Sequence, residues 1–174
     1  MYSKEFSILQ NVDVEITGNK VKVSGQKGSL ERIFKALRGV KIEKGDGKVK
    51  VSSESERRKT KALVGTVAAH IRNMMNGVIN GYTYRMKVIY SHFPITVKQE
   101  NGKVLVNNFL GERVPRVAKI YGDAKVKIDG ADITITGVSL EDVGLTASNI
   151  EQATRIRARD RKVFQDGVWL VSRE

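Results

Sequence analysis

Five basic side chains fall within eight residues near the end of the chain, and the chemistry they offer is anion binding. Residues 155–162 read RIRARDRK and are called the arginine segment below. Guanidinium groups fork onto phosphate oxygens and stack on unpaired bases. Arginines packed this densely repel one another unless a polyanion is near. We therefore predict RNA contacts at the five basic side chains, Arg155, Arg157, Arg159, Arg161 and Lys162. Their spacing fits one face of a helix and one face of a strand, so both conformations stay open for this segment.

A second basic cluster, Arg57-Arg58-Lys59-Thr60-Lys61, falls in the first turns of a predicted helix. Positive charge there opposes the helix dipole and costs up to about 1 kcal/mol per residue. We predict that Arg57, Arg58, Lys59 and Lys61 also contact RNA. The alternative is an exposed helix start whose charge is softened by nearby glutamates.

A short loop bracketed by glycines, Gly25-Gln26-Lys27-Gly28, offers one further basic side chain. It lacks the Gly-Lys-Ser/Thr ending of a nucleotide phosphate-binding loop. The loop is either an ordinary turn or a place where Lys27 reaches an RNA phosphate, and we include Lys27 among the predicted contacts.

Residues suited to catalysis or metal binding are few and scattered. The chain has no cysteine, and its two histidines, His70 and His92, have no partner at a metal-ligand or catalytic spacing. His70 falls at helical spacing beside an apolar stripe, and His92 precedes Phe93-Pro94 in a predicted turn. The sequence therefore predicts a protein that is not an enzyme and has no metal or cofactor.

Composition agrees with a polyanion as partner. Among 174 residues, 31 are Lys or Arg and 19 are Asp or Glu, giving a formal charge of +12 and a pI near 10. No apolar run approaches the length of a membrane span, so we expect a cytoplasmic protein without membrane contact. Aromatic residues do not alternate with basic ones, which favours recognition of RNA shape and phosphates over stacking on single strands.

The elements that position these residues are short strands and two helices. Alternating apolar and polar residues predict strands at 12–16, 21–23, 40–42 and 49–51, and again at 95–97, 104–106, 126–128 and 133–135. Turn residues join them in antiparallel pairs at Gly18-Asn19, Gly45-Asp46-Gly47, Asn101-Gly102 and Asp129-Gly130.

Helical spacing follows each set of strands. The apolar stripe of the first helix is Val64, Val67, Ala68, Ile71, Met74, Met75 and Val78. Ser53–Glu56 has the Ser-x-x-Glu spacing of a helix start, Asn80-Gly81 is a stop, and Ser139–Asp142 repeats the start signal.

The same order of strands, turns and helix thus occurs twice, and residues 64–71 match residues 143–150. We predict a tandemly duplicated α+β fold, in which each unit is a small antiparallel sheet packed on one helix. The two domains are residues 1–81 and 82–174, the second with the basic segment near its C-terminus. Two copies of one unit supply two basic surfaces rather than a catalytic centre.

On these features the chain resembles the large-subunit ribosomal protein six family, in its archaeal and eukaryotic branch. The resemblance lies in the doubled pattern, in Val40–Ile42 with Lys48–Val51, in Lys61–Thr66, and in Arg161–Gly167. It implies a structural constituent of the large ribosomal subunit in the cytoplasm. It also implies binding to large-subunit ribosomal RNA near the stalk base and the translation-factor-binding region. The expected protein partners are the neighbouring ribosomal proteins there, and we do not expect the protein to form homo-oligomers.

Two other functions remain open from the residues alone. A free-standing RNA chaperone would have the same charge but bind many RNAs weakly. A small hydrolase would require a histidine or one of the scattered acids for activity.

Overall fold

The chain folds as two compact units, residues 1–81 and 82–174. A computed structural model describes residues 2–35, 37, 39–45 and 47–174. Asp46, which belongs to one of the predicted turns, lies outside these described residues.

The first unit consists of six strands followed by a helix. Its strands form two antiparallel sheets, in the orders β2-β3-β4 and β1-β6-β5. The elements are β1 (Tyr2–Ser7), β2 (Asp13–Thr17), β3 (Lys20–Gly25), β4 (Gly28–Ile33), β5 (Val40–Gly45), β6 (Lys48–Ser53) and α1 (Arg58–Asn80).

The first core forms because every second residue of these strands is apolar. Val21 and Val23 of β3 and Val49 and Val51 of β6 are fully buried. The helix α1 contacts both sheets with its apolar face. All seven residues of the predicted stripe are buried in that face, as expected from their helical spacing.

The second unit repeats this order and adds a final strand. Its sheets have the orders β8-β9-β10 and β11-β12-β7-β13. The elements are β7 (Tyr82–Ile89), β8 (Thr96–Glu100), β9 (Lys103–Asn107), β10 (Arg116–Lys119), β11 (Lys125–Asp129), β12 (Asp132–Gly137), α2 (Leu140–Ala153) and β13 (Gly167–Arg173).

The duplication is visible in both the sheets and the helices. In each unit the second, third and fourth strands form one sheet, and the first, fifth and sixth strands form the other. The residues of α2 that match the buried Val64–Ile71 face, namely Val143, Thr146, Ala147 and Ile150, are also buried. The predicted duplicated α+β fold is confirmed. Each unit has two antiparallel sheets instead of one, and the sheets include five strands that were not predicted, namely β1, β4, β7, β10 and β13.

The two predicted helix starts have different outcomes. Ser139 caps α2, since its Oγ accepts a hydrogen bond from the Asp142 N–H at 3.3 Å. The start predicted at Ser53–Glu56 is wrong: Ser53 ends β6, and α1 begins at Arg58 after an Arg57 that makes no side-chain cap. The Ser53 hydroxyl instead accepts from the Ser55 N–H at 3.2 Å, which turns the chain between strand and helix.

Candidate RNA interface

The arginine segment is an irregular loop that connects α2 to β13. Its residues belong to neither helix nor strand, so neither of the two conformations that their spacing allowed is adopted. Ile156, only 7% exposed, packs into the core of the second unit and anchors the loop. The five basic residues of the loop are exposed.

Most of these cations have no partner among the residues that the structure describes. Among the residues that the structure describes, the side chains of Arg155, Arg157, Arg161 and Lys162 make no hydrogen bond or ion pair. The guanidinium carbon of Arg159 lies 4.8 Å from the centroid of the Phe164 ring, a cation–π contact. Four cations therefore remain available to a ligand, and the fifth is held over an aromatic ring.

Arg116 of β10 fixes the beginning of the loop. Its Nη1 donates to the carbonyl oxygens of Ala153 at 2.9 Å and Arg155 at 3.0 Å. Its Nε and Nη2 donate to the Glu112 carboxylate at 2.8 and 2.6 Å, and this pairing lowers the pKa of Glu112. The guanidinium also lies 4.3 Å from the Phe109 ring centroid. Four of the five N–H groups of Arg116 are thus engaged, and two of them hold the backbone of the loop.

Asp160 shapes the end of the loop by local hydrogen bonds. Its carboxylate accepts from the Lys162 N–H at 2.9 Å, and its carbonyl oxygen accepts from the N–H groups of Val163 and Phe164 at 3.2 and 2.9 Å. These bonds form a tight turn in which aspartate is favoured. The single acidic residue of the arginine segment therefore has a backbone role.

A buried carboxylate ties the loop to the connection between β7 and β8. Asp166, 1% exposed, accepts hydrogen bonds from the Ser91 N–H at 3.1 Å, the Ser91 hydroxyl at 2.9 Å and the His92 N–H at 3.2 Å. The His92 ring Nδ1 lies 3.1 Å from the same carboxylate. Burial by itself would raise the pKa of Asp166, but these hydrogen bonds outweigh it and lower the pKa to about 2.

Ser91, His92 and Asp166 are the residue types of a hydrolase triad, but their geometry differs from one. In a triad the histidine Nδ1 faces the aspartate and Nε2 faces the serine. Here Nδ1 lies 3.1 Å from both the Ser91 Oγ and the Asp166 carboxylate. The group is a structural clamp, and sequence spacing could not reveal it because His92 and Asp166 are 74 residues apart.

The clamp continues into a stack of side chains. The His92 ring lies 4.3 Å from the Phe164 ring, centroid to centroid, with 22° between the planes. Arg159 contacts the same phenylalanine. The buried carboxylate is therefore connected to one of the predicted RNA-binding arginines through two rings.

The predicted contacts of the first unit lie at the two ends of α1. Arg57, Arg58 and Lys59 are exposed at the helix start, where the first turn has no acidic residue. Lys61 already has partners within the first unit, since its Nζ lies 3.6 Å from a Glu56 carboxylate oxygen and 5.4 Å from the Tyr2 ring centroid.

Lys27 lies at the other end of this helix. Its ammonium donates to the carbonyl oxygen of Asn80, and its backbone N–H donates to that of Val78 at 2.9 Å. A helix of 23 residues is about 34 Å long, so the structure does not bring Lys27 together with the cations at the helix start. Lys27 has a structural role at the helix C-terminus, where positive charge is favourable.

The described residues can also be searched for a metal site and for a membrane-spanning helix. No three acidic or histidine side chains among them form a group that could hold a metal ion. Within the same part of the chain, neither helix is long and apolar enough to cross a membrane.

Comparison with known proteins identifies the family. The family model described as ribosomal protein L6 matches residues 9–81 and 93–167. The chain is 52% identical over 170 residues to the large ribosomal subunit protein uL6 of Desulfurococcus amylolyticus, an alignment that covers 97% of this chain and 92% of that protein. It is 50% identical to the protein of the same name from Staphylothermus marinus, covering 96% and 92%, and 47% identical to that of Methanocella arvoryzae, covering 98% and 96%. Ribosomal proteins of this family are structural rather than enzymatic, in agreement with the prediction from the sequence. The chain belongs to the ribosomal protein L6 family.

Proposed function

We propose that this protein is a structural constituent of the large ribosomal subunit that binds large-subunit ribosomal RNA through the arginine segment. The observation that carries the proposal is a loop whose backbone is fixed while four of its cations have no protein partner among the described residues. Such a loop presents positive charge without first having to be ordered, so less entropy is lost when the RNA binds.

Charge distribution supports the C-terminal unit as the main RNA-binding surface. The arginine segment has five basic residues and one acidic residue, and its net charge of +4 equals that of the whole second half. The exposed Arg57, Arg58 and Lys59 would form a second contact, from the first domain. Lys61 and Lys27 would have to leave a group of the first unit, Glu56 and the Asn80 carbonyl oxygen respectively, to reach the RNA.

The proposed place of binding is near the stalk base and the translation-factor-binding region, in the cytoplasmic ribosome. Neighbouring ribosomal proteins there are the proposed protein partners, and no homo-oligomer is involved. Membership of the L6 family supports this location, and the name of the relatives, large ribosomal subunit protein, supports the subunit.

The test is the salt dependence of binding to large-subunit ribosomal RNA stripped of its proteins. We expect the combined variant Arg155→Ala, Arg157→Ala, Arg159→Ala and Lys162→Ala to bind more weakly. The slope of log K against log salt is negative, and it should become less steep by about 0.7–0.9 for each phosphate that the variant no longer neutralises. Filter binding over a series of KCl concentrations measures both quantities.

A matched control removes the same charge elsewhere in the second unit. Lys98, Lys103, Lys125 and Lys127 are exposed on β8, β9 and β11, and their combined alanine variant should change the slope less. Circular dichroism confirms that both variants are folded. An unchanged slope in the arginine-segment variant would exclude that segment from the interface.

A further inference from the structure

A cleft of about 630 Å³ lies directly beside the arginine segment in the second unit. Ile156 and Val168 contribute buried apolar groups, and the half-exposed Ile89 and Trp169 form an apolar wall. The volume is within the range of about 300–1,000 Å³ that is typical of small-molecule sites. The cleft is therefore large enough for a flat ring with a polar group attached.

The aromatic wall of the cleft is held in a defined position. The Trp169 indole N–H donates to the carbonyl oxygen of Gln165 at 3.3 Å. The ring lies close over the backbone at Gly167, where an added Cβ would be 3.3–3.4 Å from the indole. Trp169 is still 44% exposed, and no other aromatic ring stacks on it in the part of the chain that the structure describes. It is a positioned aromatic surface without a partner.

Charged and amide side chains border this apolar surface. Arg155 and Arg161 line the cleft, whereas Glu151 is its one acidic lining residue, so the lining has a net positive charge. Gln152 and Gln165 add amide groups that can donate and accept hydrogen bonds. The combination matches a nucleotide, which has a flat ring, polar edges and an anionic phosphate.

We propose that this cleft receives one unpaired nucleobase of the bound RNA, stacked on Trp169, with the neighbouring phosphates on Arg155 and Arg161. The inference rests on the proposed RNA-binding function and adds to it a site for a single flipped-out base. A peptide segment of a neighbouring protein would also cover apolar surface, but it has no need of two arginines at the rim that lack a partner among the described residues. Continuity with the arginine segment favours the nucleotide.

The experiment uses the complete protein bound to large-subunit ribosomal RNA stripped of proteins. Ultraviolet irradiation followed by mass spectrometry should find a nucleotide adduct within residues 164–169. Trp169→Leu keeps an apolar side chain but loses the stacking surface, so its affinity should fall about fivefold to a hundredfold. Its salt slope should stay unchanged, because the variant keeps every cation that neutralises a phosphate. Trp169→Phe should retain most of the affinity.

Val171→Ala is the matched control, since Val171 is an exposed apolar residue of the same strand that does not line the cleft. If Trp169→Leu binds like Val171→Ala while the arginine-segment variant still flattens the salt slope, the base site is disproved and the proposed function stands. If the unaltered protein binds this RNA without salt dependence, the proposed function itself fails. A Trp169→Leu protein that binds stripped RNA normally but is lost from assembled subunits would overturn the inference in favour of a peptide occupant. The adduct on the unaltered protein decides the question even if Trp169→Leu does not fold.

Discussion

Arginines in the second unit have two different roles that residue type alone does not distinguish. Arg116 donates two hydrogen bonds to carbonyl oxygens of the loop and two to the Glu112 carboxylate, and its guanidinium lies over the Phe109 ring, so its role is structural. Arg155, Arg157 and Arg161 have no such partners among the described residues. The supporting arginine lies outside the dense cluster, so these three arginines of the cluster remain available for the proposed RNA contacts.

Asp166 carries a pH-dependent share of the stability of the second unit. Its pKa in the folded protein is about 2, below the ordinary value of 3.8. A lowered pKa stabilises the fold above the ordinary value, and this stabilisation is lost as the pH falls from about 4 through 2. We expect Asp166→Asn to lower the free energy of unfolding at pH 7 by about 2 kcal/mol, because hydrogen bonds to a charged acceptor are lost.

The fluorescence of Trp169, the only tryptophan, measures urea unfolding of this unit between pH 5 and 2.5. The difference between the unaltered protein and Asp166→Asn should shrink as the pH falls. A difference that stays constant with pH would show that the charge of Asp166 does not contribute.

Residue roles were predictable from the sequence where the partner is close along the chain. The Ser139 cap involves Asp142, three positions away, so the short spacing was enough to predict the helix start. The same spacing at Ser53 gave a wrong prediction because Ser53 is the last residue of β6 and its hydroxyl accepts a hydrogen bond from Ser55 in the turn that follows. The Asp166 clamp joins residues 74 and 75 positions apart, and the bonds from Arg116 to the loop carbonyls span 37 and 39 positions, so no local spacing encodes them.

At the scale of elements, the loop of residues 25–28 seals the C-terminal end of α1. Gly25 packs so closely on the helix that an added Cβ would lie 2.7 Å from a Val78 methyl and 2.9 Å from the Val78 carbonyl oxygen. Lys27 then donates to the last carbonyl groups of the helix. Position 25 requires a glycine because the backbone approaches the helix this closely. A lysine at position 27 is favourable because its positive charge lies at the negative end of the helix dipole.

Gly25→Ala should therefore destabilise the first unit by about 1–3 kcal/mol, because the backbone oxygen cannot move away cheaply. Gly45→Ala, also in a strand of this unit, is the matched control, since a Cβ there would meet nothing within 4 Å. Urea unfolding followed by far-ultraviolet circular dichroism at 222 nm reports on both helices, of which α1 is the longer. Equal midpoints for the two variants would contradict the proposed packing of the loop.

The conformation of the arginine segment could not be predicted because its residues fit a helical face and a strand face equally. Tertiary contacts decide the outcome: Ile156 enters the core, and Arg116 holds the carbonyl groups that follow the helix end. The aromatic residues beside the segment were missed for the same reason. Phe164 and Trp169 reach it through the fold, although aromatic and basic residues do not alternate along the sequence.

At the scale of the whole molecule, the two units share a fold and differ at one edge. In the first unit β1 pairs with β6 alone among the described strands, whereas its counterpart β7 pairs with both β12 and β13. The chain must cross from the end of α2 to the far edge of β7, and the arginine segment is that crossing. The duplication was readable from sequence because it repeats local patterns, but the extra strand belongs to one copy and has no repeat to reveal it.

This difference explains why the proposed RNA-binding loop occurs once in a duplicated protein. The shared elements supply two packed cores, and the added strand supplies a fixed loop in which four cations have no partner among the described residues. We therefore expect the protein to be held firmly in the large subunit, with its RNA contacts concentrated in the second unit.

Sedimentation of large ribosomal subunits through high salt tests this central claim most directly. In cells that express the chain with an affinity tag, we expect the protein to remain with large subunits when loosely held factors have been washed away. The arginine-segment variant should be lost at a lower salt concentration than the control in which Lys98, Lys103, Lys125 and Lys127 are replaced. Recovery of the unaltered protein with the released factors at the top of the gradient would contradict its role as a structural constituent of the subunit.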